Sequence, residues 1–365
     1  MKSLAIIALT MGGAKLASAI IKNVSEHKFT VFIPASLASK ELTLGDITIR
    51  QFDNSLKDEV KKQYPHYDGF IMIMALGIVV RVFAPLINHK KIDPPVLCLD
   101  EKGQHVISVL SGHLGGANQL TRQLAKKLGA NAVITTATDV NNTLAFDEIA
   151  KNHQLSIEPF ANLKYFNSAM VHQEKVLVYY DICLSNRLTE ELTRVNIQLR
   201  HYQEFTANSY NHSLCCLITN KLHKTELKLD KLLYLRPVNL IIGVGCRRNV
   251  PASAIIKAIS EACEMVQVTT ASIKSLATVE IKRDELGITA AAEHFQVPVQ
   301  YFSSSQLGNI NEQLNLTKSN FVYQAIGVEG VCEPAALMGG KTTELILKKT
   351  VFPQITIAIA QERSM

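Results

Sequence analysis

No apolar run in the sequence approaches the roughly 20 residues that a membrane-spanning helix needs, so the chain is not expected to cross a bilayer. No C-x-x-C pair occurs among the cysteines at 98, 183, 215, 216, 246, 263 and 332, and an odd, scattered set suits a reducing, cytoplasmic setting. The eleven histidines include no H-E-x-x-H and no closely spaced ligand group, so no protein-held metal is expected. A P-loop lysine and a complete G-x-G-x-x-G are also missing, which argues against a nucleoside triphosphate or a dinucleotide. Lys and Arg exceed Asp and Glu by only 38 to 32, without dense basic runs or interleaved aromatics. That excess favours an anionic small ligand and disfavours nucleic acid. The opening MKSLAIIALT lacks a convincing cleavage site and reads as a first strand rather than a signal peptide.

The chain has 365 residues with 47% hydrophobic content, enough for two or three cores. Apolar runs of strand length alternate with helical periodicity over residues 1–140 and again over 237–365, the rhythm of α/β domains with mostly parallel sheets. LAIIALT, FTVFIPA, YDGFIMIMA, VLCLD, HVISVL and AVITT read as strands of the first domain, with helices over GGAKLASAIIKNV and IVVRVFAPLI. LIIGVG, LATVEI, VPVQYFS and ITIAIA read as strands of the last, with a helix after Pro251 and others near ELGITAAAEHF and VCEPAALMGG. Residues 141–236 are richer in Asn, His, Lys and Tyr; strands at KVLVYYDICL and SLCCLIT suggest a smaller α/β or β-rich middle domain.

Several constellations carry chemistry. SGHLGGAN (Ser111, Gly112, His113, Gly115, Gly116 and Asn118 among it) lies between a strand and a helix. Glycines there let the backbone approach a ligand and turn N–H groups toward an anion; a plain glycine turn is the alternative. His113 is either a proton-transfer group or a capping or exposed histidine. Arg81, in the apolar helix after Gly77, needs an anionic partner: a ligand, or a carboxylate such as Asp100 or Asp139. Thr135, Thr136 and Asp139 follow a strand expected to end at the same sheet edge as Thr10 and Gly77, where ligands of open parallel sheets bind; they would otherwise cap the next helix. Arg122, Lys126 and Lys127 read as a solvated helix face.

GVGCRRN (Gly245, Cys246, Arg247 and Arg248 among it) begins like a dinucleotide turn, but Arg248 stands where the third glycine belongs. Adjacent arginines at a strand-to-helix turn suit a ligand with several carboxylates. Cys246 is a packed small residue or a nucleophile. Alternation places Glu280 and Lys282 on one side of the strand LATVEI. Glu329, Cys332 and Glu333 precede a helix, where glutamates serve the helix dipole or act as acids and bases.

In order along the chain, GIVVRVFAPLI with DPPV, SGHLGGAN, TTATD, GVGCRR, LATVEIK and GVEGVCEPAAL resemble the cobalt-precorrin-5A hydrolases of the CbiG type, from the anaerobic cobalamin pathway. The match covers the first and last domains, with a looser middle. The resemblance implies two α/β domains joined by a smaller middle domain, and a cobalt-corrinoid substrate whose δ-lactone is opened with water, C20 leaving as acetaldehyde to give cobalt-precorrin-5B. It implies no cofactor, the cobalt being carried by the substrate. His113 and Arg81 are then expected in the chemistry, with the loop backbone as oxyanion donors. Gly77, Ser111, Gly112, Gly115, Gly116, Asn118, Thr135, Thr136, Asp139, Gly245, Cys246, Arg247, Arg248, Glu280, Lys282 and Glu333 are expected on the tetrapyrrole. Other enzymes of the pathway and a second copy of the chain are the remaining partner classes, and the alternative reading is a non-catalytic corrinoid-binding protein.

Overall fold

The computed structural model describes residues 2–37, 48–89, 92–193, 196–205, 214–222, 231–314, 316 and 330–362. Its contacts divide the chain into two compact units, Met1–Thr143 and Leu144–Met365.

The first unit is one seven-stranded sheet flanked by helices. Its strands are β1 (Ser3–Ala8), β2 (Lys28–Pro34), β3 (Ile49–Phe52), β4 (Gly69–Ile73), β5 (Val96–Leu99), β6 (His105–Leu110) and β7 (Asn131–Val133), in spatial order β3-β2-β1-β4-β5-β6-β7. Its helices are α1 (Met11–Asn23), α2 (Leu56–Gln63), α3 (Leu76–Phe83), α4 (Ala117–Leu128) and the short α5 (Ala137–Val140). Thr10 starts α1 by accepting the Gly13 N–H at 3.0 Å. Gly116 at φ 92 and Gly129 at φ 65 bound α4, whose Leu120, Leu124 and Ala125 join the buried core under β1 and β4.

Strands β1 to β5 are parallel, but β6 pairs antiparallel with β5, and β7 then runs parallel to β6. Residues 100–104 make the reversal. Asp100 accepts the N–H groups of Lys102, Gln104 and His105, and Gly103 takes φ 67, so the chain folds straight back as a hairpin. The expected shared edge is therefore corrected. The carboxyl ends of β6 and β7, with SGHLGGAN and TTATD, lie at the opposite end of the strands from Thr10 and Gly77. Lys2, before β1, confirms the polarity by donating to the Gly115 carbonyl at 2.9 Å.

The second unit carries two sheets. The first holds β8 (Leu155–Glu158), β9 (Val176–Tyr180), β10 (Ile197–His201), β11 (Leu214–Ile218) and β12 (Leu232–Pro237), ordered β10-β9-β11-β12-β8, all parallel except β8. Helices α6 (Phe146–Asn152), α7 (Leu163–Val171) and α8 (Asn186–Leu192) accompany it. The second holds β13 (Leu240–Cys246), β14 (Ile273–Val279), β15 (Val299–Phe302), β16 (Leu345–Phe352) and β17 (Ile355–Gln361), ordered β15-β14-β13-β17-β16. Parallel β13, β14 and β15 meet an antiparallel β17–β16 hairpin on one side. Helices α9 (Ala252–Met265), α10 (Leu286–Phe295), α11 (Ser304–Gln313) and α12 (Cys332–Gly340) pack on this sheet. Gly243 is where α12 meets β13, because a Cβ there would collide with the Cys332 carbonyl.

Candidate functional site

In the first unit, chemistry gathers at the carboxyl ends of β6 and β7. Glycine and a left-handed Ser111 (φ 58) curl the loop after β6 so that His113 points at the start of α5. Its Nε2 lies 3.0 Å from Asp139 Oδ2 and 3.1 Å from Thr138 Oγ1. The His113 and Asp139 side chains are only 11% and 7% exposed, so this is not an exposed histidine. Asn118 binds the same carboxylate at 2.7 Å and Thr136 at 3.0 Å, and its own oxygen accepts from Ser108 at 2.6 Å. Arg122 closes the cluster by pairing with Asp139 Oδ1: it lies on the exposed face expected of it, its side chain 50% exposed, but also holds this carboxylate. Asn118 and Arg122 sit four residues apart on one face of α4, which is why both reach Asp139.

Burial raises the Asp139 carboxyl, but hydrogen bonds and charge from Arg122 and His113 outweigh it and hold the group below its usual 3.8. An anionic Asp139 can orient the imidazole and stabilise its protonated form. The depressed value adds stability that is complete above the unfolded pKa of 3.8 and is lost as pH falls through the lower folded value. Acid unfolding followed by circular dichroism is therefore expected to lose part of its pH dependence below about pH 4 in Asp139→Asn.

The glycine loop is less open to ligands than its sequence implies. Ala117 N–H donates to the Ser111 carbonyl (3.1 Å) and Asn118 N–H to the Gly112 carbonyl (3.0 Å), so the first donors of α4 serve the loop itself. The Ser111 hydroxyl is likewise engaged, with the Asp93 carbonyl at 2.8 Å. Thr135 is exposed, while Thr136 belongs to the Asn118 network.

Arg81 departs from expectation. It is exposed, and its guanidinium turns back to the Gly77 carbonyl at 3.4 Å, beside the carboxyl end of β4. It pairs with neither Asp100 nor Asp139. The strand reversal puts it at the other edge of the sheet from His113, so the two cannot share one reacting centre within this unit. An eight-residue helix with Val79, Val82 and Phe83 buried leaves Leu76, Val80 and Arg81 facing outward.

In the second unit a cavity of about 660 Å³ opens at the carboxyl ends of β13 and β14. Four cationic residues line it: Arg247 and Arg248 after β13, Lys282 after β14, and Lys349 from β16. Val279, Ile281, Val331, Val351, Phe352 and Ile355 supply apolar surface, and no acidic residue is among the described residues of the lining. Arg248 pairs loosely with Asp284 at 3.6 Å, both side chains well exposed. Gly245 and Cys246 also line the cavity. Burial raises the Cys246 thiol above 9.0 despite nearby Lys282, so at neutral pH it is a thiol and not a ready nucleophile.

Three expectations here need correction. Strand β14 ends at Val279, and Glu280–Lys282 form a 3₁₀ turn, so strand alternation does not place Glu280 beside Lys282. Lys282 enters the lining, whereas Glu280 pairs with Arg283 at 3.4 Å on the surface. Glu333 is 4% exposed and stands outside the lining, its Oε1 accepting the Lys349 N–H at 3.0 Å. Glu329 lies outside the described residues. Sequence reasoning missed Lys349 and Glu285, and left unassigned Arg122, whose helical spacing from Asn118 was a signal, and Thr138, which lies within TTATD. Among the described residues no three His, Cys, Asp or Glu side chains group as a metal site, and no helix is long and apolar enough to cross a membrane.

A buried histidine–carboxylate cluster in one α/β unit and a cation-lined cavity in the other give this multidomain α/β protein two separate candidate sites. Sequence models described as cobalamin synthesis G N-terminal, cobalamin biosynthesis central region and cobalamin synthesis G C-terminus match residues 58–139, 144–237 and 240–360. The chain belongs to the cobalamin synthesis G family. It is 34% identical over 317 residues to a cobalt-precorrin-5A hydrolase of Priestia megaterium, covering 86% of this chain and 83% of that protein. It is 32% identical over 343 residues to one of Salmonella typhimurium, covering 92% and 91%. A stretch of 122 residues, 33% of this chain and 79% of the relative, is 33% identical to protein CobE of a Sinorhizobium species.

Proposed function

We propose that this protein is a cobalt-precorrin-5A hydrolase, opening the δ-lactone of the cobalt corrinoid and releasing C20 with its methyl group as acetaldehyde, to leave cobalt-precorrin-5B. The carrying observation is the cavity beside β13, with four cations and apolar wall but no acid among its described lining residues. A macrocycle fringed with acetates and propionates asks for that combination: guanidinium and ammonium groups for the carboxylates, aliphatic surface for the ring. We assign the cobalt to the substrate, in which it arrives already chelated.

His113 is assigned the proton transfer. As water adds to the lactone carbonyl, the imidazole takes its proton, and Asp139 holds the ring and stabilises the imidazolium that forms. Backbone N–H groups of residues 112–116 that are not used within the loop are the candidate donors to the tetrahedral oxyanion. Collapse leaves the water oxygen in the ring A acetate. The former ester oxygen departs with C20 as the carbonyl oxygen of acetaldehyde, the broken carbon–carbon bond leaving its electron pair with the macrocycle. Arg81, at the far sheet edge, is left out of this step.

The test is acetaldehyde release from cobalt-precorrin-5A by the purified chain under anaerobic conditions, followed by coupled reduction with alcohol dehydrogenase. One acetaldehyde per corrinoid consumed is expected. Tight binding of the lactone with no acetaldehyde would transfer the protein to the alternative reading, a corrinoid-handing protein without chemistry of its own.

A further inference from the structure

Two buried carboxylates stand just behind the wall of the cationic cavity, and neither belongs to its lining. Glu285, 7% exposed, accepts the Asn249 N–H at Oε1 (2.5 Å) and holds Lys282 Nζ at Oε2 (3.0 Å). Asn249 follows Arg247 and Arg248 directly and takes φ 59, so this hydrogen bond, together with that of the Arg247 N–H to the Gln354 carbonyl at 3.0 Å, holds the turn that presents both arginines. Lys282 itself is only 12% exposed. Its charge and that of Glu285 need each other at that depth. Glu333 does the corresponding work on the other wall. The β16–β17 register slips between Leu347 and Thr350, which takes Lys349 out of the ladder, and the orphaned Lys349 N–H is satisfied by Glu333 Oε1 at 3.0 Å.

We propose that Glu285 and Glu333 are positioning residues of the polyanion cavity, each anchoring one peptide N–H of a segment whose cations line it, with Glu285 in addition holding the Lys282 ammonium in place. The inference rests on the reading of this cavity as the site for the corrinoid's carboxylates. Placing the anchors behind the wall fixes the cations without setting a negative charge where a polyacid must approach. Glutamine distinguishes the two. At 333 it keeps the amide oxygen that Lys349 N–H requires; at 285 it keeps the bond to Asn249 but gives up the ion pair with Lys282.

The test titrates the full chain with cobyrinic acid, a corrinoid polycarboxylate, and with cobinamide, whose side chains are amides. Glu285→Ala and Glu333→Ala are each expected to weaken cobyrinic acid about tenfold or more, since misplacement by an ångström costs up to about a hundredfold. Cobinamide binding should move less than about threefold, a small share of the tenfold unit of affinity. Glu333→Gln should restore cobyrinic acid binding, while Glu285→Gln should remain weakened, and this asymmetry carries the test if the alanine variants do not fold. Equal loss of both probes, or binding like the wild type, overturns the assignment alone. A wild-type chain that ignores cobyrinic acid overturns the reading of the cavity as well.

Discussion

His113→Ala is expected to slow acetaldehyde release by about a thousandfold, within the range that a positioned acid or base contributes. Corrinoid affinity should change by less than about threefold, because the side chain acts on water rather than on the ring's carboxylates. The expectation follows from how tightly the imidazole is held. Asp139 and Thr138 both contact Nε2, while Asn118 donates to the same Asp139 oxygen as the imidazole and Arg122 holds the other. A solvent-exposed histidine of random orientation would lack this support. Losing the imidazole leaves a cavity but keeps the Asp139 pair with Arg122, so the variant should still fold. Comparable losses of turnover and affinity would reassign His113 to binding.

The double variant Arg247→Ala, Arg248→Ala is expected to raise KM about a hundredfold, taking about tenfold for each charge-assisted contact and treating the two as independent. Both side chains are exposed, so solvent screening will reduce the effect as ionic strength rises. Wild-type KM should climb with salt over the range where the Debye length shrinks to about 8 Å, and the double variant should respond less. An unchanged KM at low salt would remove the arginines from substrate recognition.

Much of the fold was legible because its signals are local. Strand-length apolar runs in LAIIALT, YDGFIMIMA and LIIGVG, and the three- and four-residue steps of Ala117, Leu120, Leu124 and Leu128, return as β1, β4, β13 and α4. What misled was connectivity. EKGQ between VLCLD and HVISVL is too short for the crossover a parallel pair requires, and read that way it announces the hairpin that reverses β6. Taking β7 to run the same way as β1 and β4 put Thr10, Gly77 and TTATD on one edge. Arg81 also shows that an arginine among aliphatic residues need not be buried when the helix has an outer face.

The candidate sites were partly legible. SGHLGGAN, TTATD and GVGCRR marked the right segments, since glycine turns and clustered polar groups at strand ends are visible in sequence. Their internal pairings were not. That Asp139 clamps His113 rather than a ligand depends on α4 and α5 meeting in space. Lys349 joins Arg248 and Lys282 only because β16 folds back on β17, about a hundred residues further along the chain than Arg248. Glu333 was expected on the tetrapyrrole from the family resemblance, but the bulge at Lys349, which no local pattern announces, gives it a backbone partner instead.

The account stands most directly on where the water oxygen goes. Cobalt-precorrin-5A turned over in H₂¹⁸O should yield a corrinoid product with a single ¹⁸O in its newly freed acetate, and acetaldehyde in equal amount. A product without ¹⁸O in that carboxylate, or one formed without acetaldehyde, would contradict attack of water on the lactone carbonyl and the role given to His113.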